Sequence, residues 1–378
     1  MTKNSKIVLG IIVLVIVIWG GYTMLRQKAG APTAPATTEP IKIGLVAPMT
    51  GEGASYGEAA FGGAMLAVKE INDAGGINGR KVELIVEDDR CSSAGANAIN
   101  KLVNVDKVTA IVGPVCSSSA GPGVPIAQSA GTPVILIGAS APDLTKVGDY
   151  IFRNYPSDAL QGKFAADFVY NTLGKRKTAV IFVKNDWGQG IRNVFIERYK
   201  QLGGEIVYDE GVLQDATDLR TQITKAKAAN PEVLYFPVYP QNGVAGLKQI
   251  KQLGLTATVV GGDAFIEESI LKLPEAEGVL IMEGKTNNPD DFQAKVKQVS
   301  NKSINIITPY AYDAVKIFAK VIEKVGTDQK AIRDELARTV YRYSIAVPVV
   351  EFDANGDLKV AEVAVKVIQG GKTVEYIR

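Results

Sequence analysis

From Ile41 onward the chain alternates short runs rich in β-branched residues with longer stretches whose apolar positions recur at helical spacing. "IKIGLV" predicts a strand, Tyr56–Ala74 a helix ending at the turn "GGINGRK", and "VELIVED" a second strand. Ala94–Val105 reads as a helix and "VTAIVG" as a third strand; a further helix closes at Gln128–Gly131 before a fourth strand, "TPVILIG". Strand and helix in strict alternation imply a parallel sheet with helices on both faces. "YIFRNYPS" (Tyr150–Ser157) is a strand with no helix-sized gap before it, which would let it leave that sheet.

A second alternating series follows: helix Leu160–Leu173, "TAVIFV", helix Ile191–Leu202, "EIVYDEGV", helix Leu219–Ala229, "EVLYFPV", helix Val244–Leu253 and "ATVVGG". "GVLIME" (Gly278–Glu283) leads to helices at Asp290–Val299, Tyr312–Val325 and Gln329–Arg338. The β-type runs "IAVPVVEF", "LKVAEVAVKVI" and "TVEYI" complete the chain. The expected fold class is α/β, with two lobes and late returns between them rather than two beads in series.

The first 40 residues break this pattern. Lys3 and Lys6 precede the uncharged run Ile7–Leu25, long enough at 1.5 Å per residue to cross a hydrocarbon core and longer than the usual h-region of a secretory signal. It reads as an uncleaved membrane anchor, with a removed signal as the alternative; either way the body is extracytoplasmic, in a periplasm or at a cell surface. "KAGAPTAPATTEP" (Lys28–Pro40) is an extended Ala/Pro/Thr-rich tether. The 378 residues are too many for one ordinary core, and a net charge of +2 gives no basic field for nucleic acid. With no histidine, Ser-His-Asp triads, Cys-His pairs and the commonest zinc sites are excluded. In an exported protein the only two cysteines, Cys91 and Cys116, are most simply one disulfide, with two buried thiols as the alternative.

The candidate chemistry lies where strands give way to helices. "GEGASYG" (Gly51–Gly57) after the first strand, with Glu87, Asp88 and Asp89 ending the second, imitates a dinucleotide fingerprint. Its spacing is GxGxxxG and it starts late, so a loop capping a helix is the plainer reading. "GPVCSSSAG" places Ser117, Ser118 and Ser119 at a helix start, where free amides and the helix dipole favour an anion. Gly138, Ala139 and Ser140 end the next strand in the same way, so the two loops would suit a carboxylate. In the second series Trp187 and Tyr239 sit at strand ends, and Asp263 follows Gly261 and Gly262. Each has a plain structural reading, the aromatics as loop covers and the acid as a helix cap. Together, donors on one lobe facing an acid and aromatics on the other would fit a free amino acid.

The ordered segments "IKIGLVAPMTG", "YGEAAFGGAMLAVKEINDAGGINGRKVELIVEDDRC", "GPVCSSSAGPGVPIAQ", "ASAPDLT" and "FDANGDLKVAEV" resemble the Leu/Ile/Val-type amino acid binding proteins of ABC importers, type I periplasmic binding proteins. The resemblance implies two Rossmann-like lobes joined by three crossovers, a ligand between them, an importer permease as partner, and binding without catalysis or cofactor. It implies ligand contacts at Tyr56, Ser117, Gly138, Ala139 and Ser140 on the first lobe and at Trp187, Tyr239 and Asp263 on the second. Trp187 stands where the family often has tyrosine, and Asp263 where it often has glutamate. Cys91 and Cys116 fall where members carry a disulfide. Lobe one is expected at 41–153 and 285–345 and lobe two at 154–284 and 346–378, after an anchor or signal at 1–28 and a linker at 29–40. A sensor serving a separate signalling partner is the alternative function, and a nucleotide-dependent enzyme a third.

Overall fold

The structure, a computed structural model, describes residues 39–51 and 53–377. The anchor expected within 1–28 and the linker up to residue 38 lie outside the described residues. Among the described residues no helix is long and apolar enough to cross a membrane.

The first sheet holds β1 (Ile41–Ala47), β2 (Val82–Asp88), β3 (Ala110–Val112), β4 (Val134–Leu136) and β5 (Ile151–Arg153) in the order β2-β1-β3-β4-β5. Every pairing in it is parallel. Its intervening helices are α1 (Ala54–Asp73), α2 (Gly95–Asn100) and α3 (Ser117–Ala130). The second series runs α4 (Asp158–Asp167), β6 (Lys177–Val183), α5 (Asp186–Gln201), β7 (Glu205–Val212), α6 (Arg220–Ala228), β8 (Val233–Phe236) and α7 (Pro240–Leu253). It continues with β9 (Thr258–Gly261), α8 (Glu268–Leu271) and β10 (Leu280–Gly284). After these come α9 (Asp290–Val299), α10 (Ile307–Val325), α11 (Gln329–Leu336), β11 (Val340–Tyr341), β12 (Val350–Glu351), β13 (Val363–Gln369) and β14 (Lys372–Glu375). The second sheet is ordered β14-β13-β10-β9-β8-β6-β7.

Both sheets are buried on two faces, and the period of two in their strands shows it. Ile41, Ile43, Leu45 and Ala47 of β1 join the core with α1 and α10, while Val46 points to the opposite core with α2 and α3. In β8, Leu234 and Phe236 face one core, and Val233 and Tyr235 the other. In each sheet the order of winding reverses beside its first strand, between β1 and β3 and between β6 and β8. The strand ends around such a reversal open onto a crevice.

Three features go beyond the sequence reading. Ile151–Arg153 stays in the first sheet as its edge, paired parallel to β4. The connection before it carries a single 3-10 turn, Thr145–Val147, and that suffices for a parallel return without a helix. The run "IAVPVVEF" packs in the first core through Ala346, Val347, Val350 and Phe352, and β12 pairs with β11. The last strands add antiparallel to β10, joined by Gly370 and Gly371 at φ 55° and 78°, the left-handed pair a two-residue hairpin turn requires.

α1 lies close against α10, and Gly63 sits where the two meet. A Cβ there would run into the Thr308 carbonyl oxygen, part of a backbone that cannot swing aside. Gly63→Ala is expected to destabilise the fold by about 1–3 kcal/mol through overpacking, read from the denaturant midpoint at unchanged slope.

Candidate ligand-binding site

The two crevices face each other across one chamber. Ser117, Gly138 and Ser140 reach it from the ends of β3 and β4, and Tyr56 from the first turn of α1. Trp187 arrives from the start of α5 after β6, Tyr239 from the N-cap of α7 after β8, and Asp263 from the 3-10 turn after β9. Of the eight residues expected on ligand, seven therefore share one wall. Ala139 does not: it is buried behind the chamber, where its carbonyl accepts from the Arg153 guanidinium at 3.2 Å.

Local rules explain each placement. Cys116, in extended conformation, is the N-cap of α3, so Ser117 begins a 14-residue helix whose first amides have no intrahelical partner. Cys116 is bonded to Cys91, which settles the pairing of the two cysteines. Asn185 caps α5 by accepting from the Gly188 amide at 3.0 Å, and that turn directs the buried Trp187 ring inward. The Trp187 and Tyr239 rings stack at 4.9 Å between centroids and 11° between planes, forming one aromatic face. Val115, Ala264, Ile306 and Ile307 supply an apolar face.

The buried hydrogen bonds assign a direction to each hydroxyl. Ser117 Oγ accepts from the Ala141 amide (3.1 Å), which leaves its proton free for an acceptor in the chamber. Ser140 Oγ donates to Asp158 Oδ2 (2.8 Å), which leaves its lone pairs to accept from the chamber. Tyr155, which lines the chamber, donates to Asp263 Oδ2 at 2.7 Å. The Tyr56 hydroxyl is buried and without a hydrogen-bond partner among the described residues.

Electrostatically the chamber favours a cation. Asp263 is only 9% exposed, and it is the one charged side chain on the described wall. Burial raises its carboxyl above the ordinary value, against the hydrogen bond from Tyr155. Asp158, fully buried behind Ser140, is raised well above its ordinary value by burial and then by Asp263, with Arg153 opposing. Arg153 is itself fully buried and paired with Asp357 at 2.6 Å, which ties the end of β5 to the loop after β12.

The dinucleotide imitation fails on the acids it needs. Asp88 is committed to the glycine loop, accepting from the amides of Met49 (2.9 Å) and Thr50 (3.3 Å) and from the Thr50 hydroxyl. Asp89 is buried and caps the turn at the Cys91 amide, at 2.8 Å. Sequence reasoning missed Tyr155, Asp158 and the apolar wall at Val115, Ala264, Ile306 and Ile307. The run "NYPSDALQG" carried the signal for the first two, an aromatic and a helix-capping serine with an acid immediately after a strand.

Comparison with known proteins agrees with this architecture. Residues 40–372 match the family model described as periplasmic binding protein, and the chain belongs to that family. A leucine-, isoleucine-, valine-, threonine- and alanine-binding protein of Pseudomonas aeruginosa is 34% identical over 346 residues, 88% of this chain and 90% of that protein. The leucine-binding protein LivK of Thermotoga maritima superposes with a TM-score of 0.80 at 26% identity, over 89% of this chain and 98% of its own. LivJ of Streptococcus pneumoniae, a branched-chain amino acid transporter substrate-binding protein solved with isoleucine, gives 0.78 at 29% identity, over 89% of this chain and all of its own.

The bond between Cys91 and Cys116 spans a sequence separation of 25 and fixes the loop that precedes α3. Replacing both with serine is expected to lower unfolding stability by about 3 kcal/mol in the chain-entropy picture, measured by denaturant titration.

Proposed function

We propose that this chain is the extracytoplasmic substrate-binding protein of an ABC importer, holding a branched-chain or closely related α-amino acid between two lobes. The observation that carries the reading is the fixed polarity of the chamber. Ser117 and the first amides of α3 offer donors to it, while Ser140 and Asp263 offer acceptors. A zwitterion meets this with its carboxylate toward α3 and its ammonium toward Asp263. The side chain then lies against Val115, Ile306 and Ile307 and the aromatic face. Relatives that bind leucine, isoleucine and valine support the same substrate class.

The sheets suggest where the lobes divide. Lobe one takes 41–153 with the returning segment 285–352, and lobe two takes 154–284 with the terminal hairpin from 363. The third crossover would then fall after residue 352, later than the sequence reading placed it. Contacts with both lobes are complete only when these close, so the ligand favours closure by its differential affinity. An importer permease would recognise the closed form, and the apolar run Ile7–Leu25 would tether the protein to the membrane surface. Binding rather than turnover is the expected activity, as the names of the relatives suggest.

Two outcomes test the role of Asp263. Asp263→Asn should weaken an α-amino acid by about 2 kcal/mol or more, because the ammonium loses a buried charge partner; calorimetric titration with L-leucine and L-isoleucine checks this. Unchanged affinity would place the amine elsewhere. The ammonium needs ionised Asp263, whose pKa burial has raised, so affinity should be full above the ligand-free pKa and fall as pH drops through it. Binding near that pKa should release a proton, seen as a heat that varies with the ionisation enthalpy of the buffer. An affinity that rises on acidification would contradict the assignment.

A further inference from the structure

Outside the chamber, a side-chain amide crosses the cleft beside the disulfide. Gln214, in the loop after β7, donates from Nε2 to the carbonyl of Cys91 on the other lobe (3.1 Å). Its Oε1 accepts from Asn185 Nδ2 at 2.9 Å. The direction of both amides is set by a backbone group. Asn185 Oδ1 is held by the Gly188 amide, so Asn185 can offer Gln214 only its NH₂, and Gln214 must turn its own NH₂ to Cys91. The Cys91 carbonyl also accepts from Ser118 Oγ at 2.8 Å within its own lobe, and its side chain is bonded to the N-cap of α3.

The relay thus starts at the cap of the helix bearing Trp187 and ends at the helix bearing Ser117. Neither Asn185 nor Gln214 lines the chamber. On another part of the cleft Glu267 makes a second crossing, accepting from Ser55 Oγ at 3.2 Å.

We infer that Gln214 is a clasp that sets affinity without touching ligand: its bond to Cys91 forms only with the lobes together and weights the closed state for every ligand alike. The inference rests on the two-lobe binding reading above. A single neutral bond shifts such an equilibrium by a modest factor, and the Glu267 crossing supplies part of the remaining closure.

Gln214→Glu separates the clasp from a general packing role. It keeps the acceptor for Asn185, removes the donor to Cys91, and sets a carboxylate against a carbonyl. On the full chain it should weaken L-leucine and L-isoleucine by the same factor, about tenfold, mainly through faster dissociation. Without ligand, the distance between fluorophores placed one on each lobe should lengthen relative to wild type. Gln214→Ala, which adds no charge, should move both readouts the same way by less. Unchanged label distances with unchanged affinities would overturn the clasp, as would a loss confined to one of the two amino acids, since Gln214 would then be sensing the side chain. If wild type binds neither amino acid, the amino-acid reading fails while the label distances still decide the clasp.

Discussion

An acid buried where two lobes meet, with no basic side chain among the described residues of the chamber wall, sets the terms for the rest of the site. Removing a carboxylate from water is costly unless a partner restores the interaction. Here Tyr155 supplies one hydrogen bond, while burial works against ionisation. On the proposed reading a cation completes the site, and selectivity for amines would follow from that completion. The opposite requirement, a place for an anion, is met without any basic residue, by the start of α3 and the free proton of Ser117.

The fold provides these two environments by doing the same thing twice. Each sheet reverses its strand order beside its first strand, and each reversal presents helix starts to a crevice. Facing one crevice with the other turns two shallow surfaces into one enclosed chamber. Pairs that span the chamber edge, such as Gln214 with Cys91, link closure to the orientation of the chamber walls. Arg153 anchors the back of the site, because its guanidinium holds the carbonyls of Ala139 and Ala141 while pairing with Asp357. The loop that carries Ser140 is thus braced from the side away from ligand.

Much of this was legible in the sequence. The parallel strands read as apolar runs because both faces are buried, and their spacing gave the α/β order directly. Seven of the eight residues singled out in the sequence reach one chamber, because strand ends in a parallel sheet converge by topology alone. What was lost depends on tertiary detail. The three-residue β5 stays in the sheet by virtue of a 14-residue connection with one 3-10 turn, which periodicity cannot register. Ala139 sits beside two wall residues, yet Arg153 draws its carbonyl away. Tyr155 and Ile307 come together from segments more than a hundred residues apart, and no local pattern predicts that meeting.

The orientation of a bound amino acid is the claim on which the account turns, and a crystal structure of the chain with L-isoleucine would decide it. The account requires the ligand nitrogen within hydrogen-bonding distance, about 2.7–3.2 Å, of both an Asp263 carboxylate oxygen and Ser140 Oγ, with the ligand carboxylate on Ser117 Oγ and the first amides of α3. A ligand bound the other way round, with its carboxylate beside Asp263, would contradict the reading of the chamber.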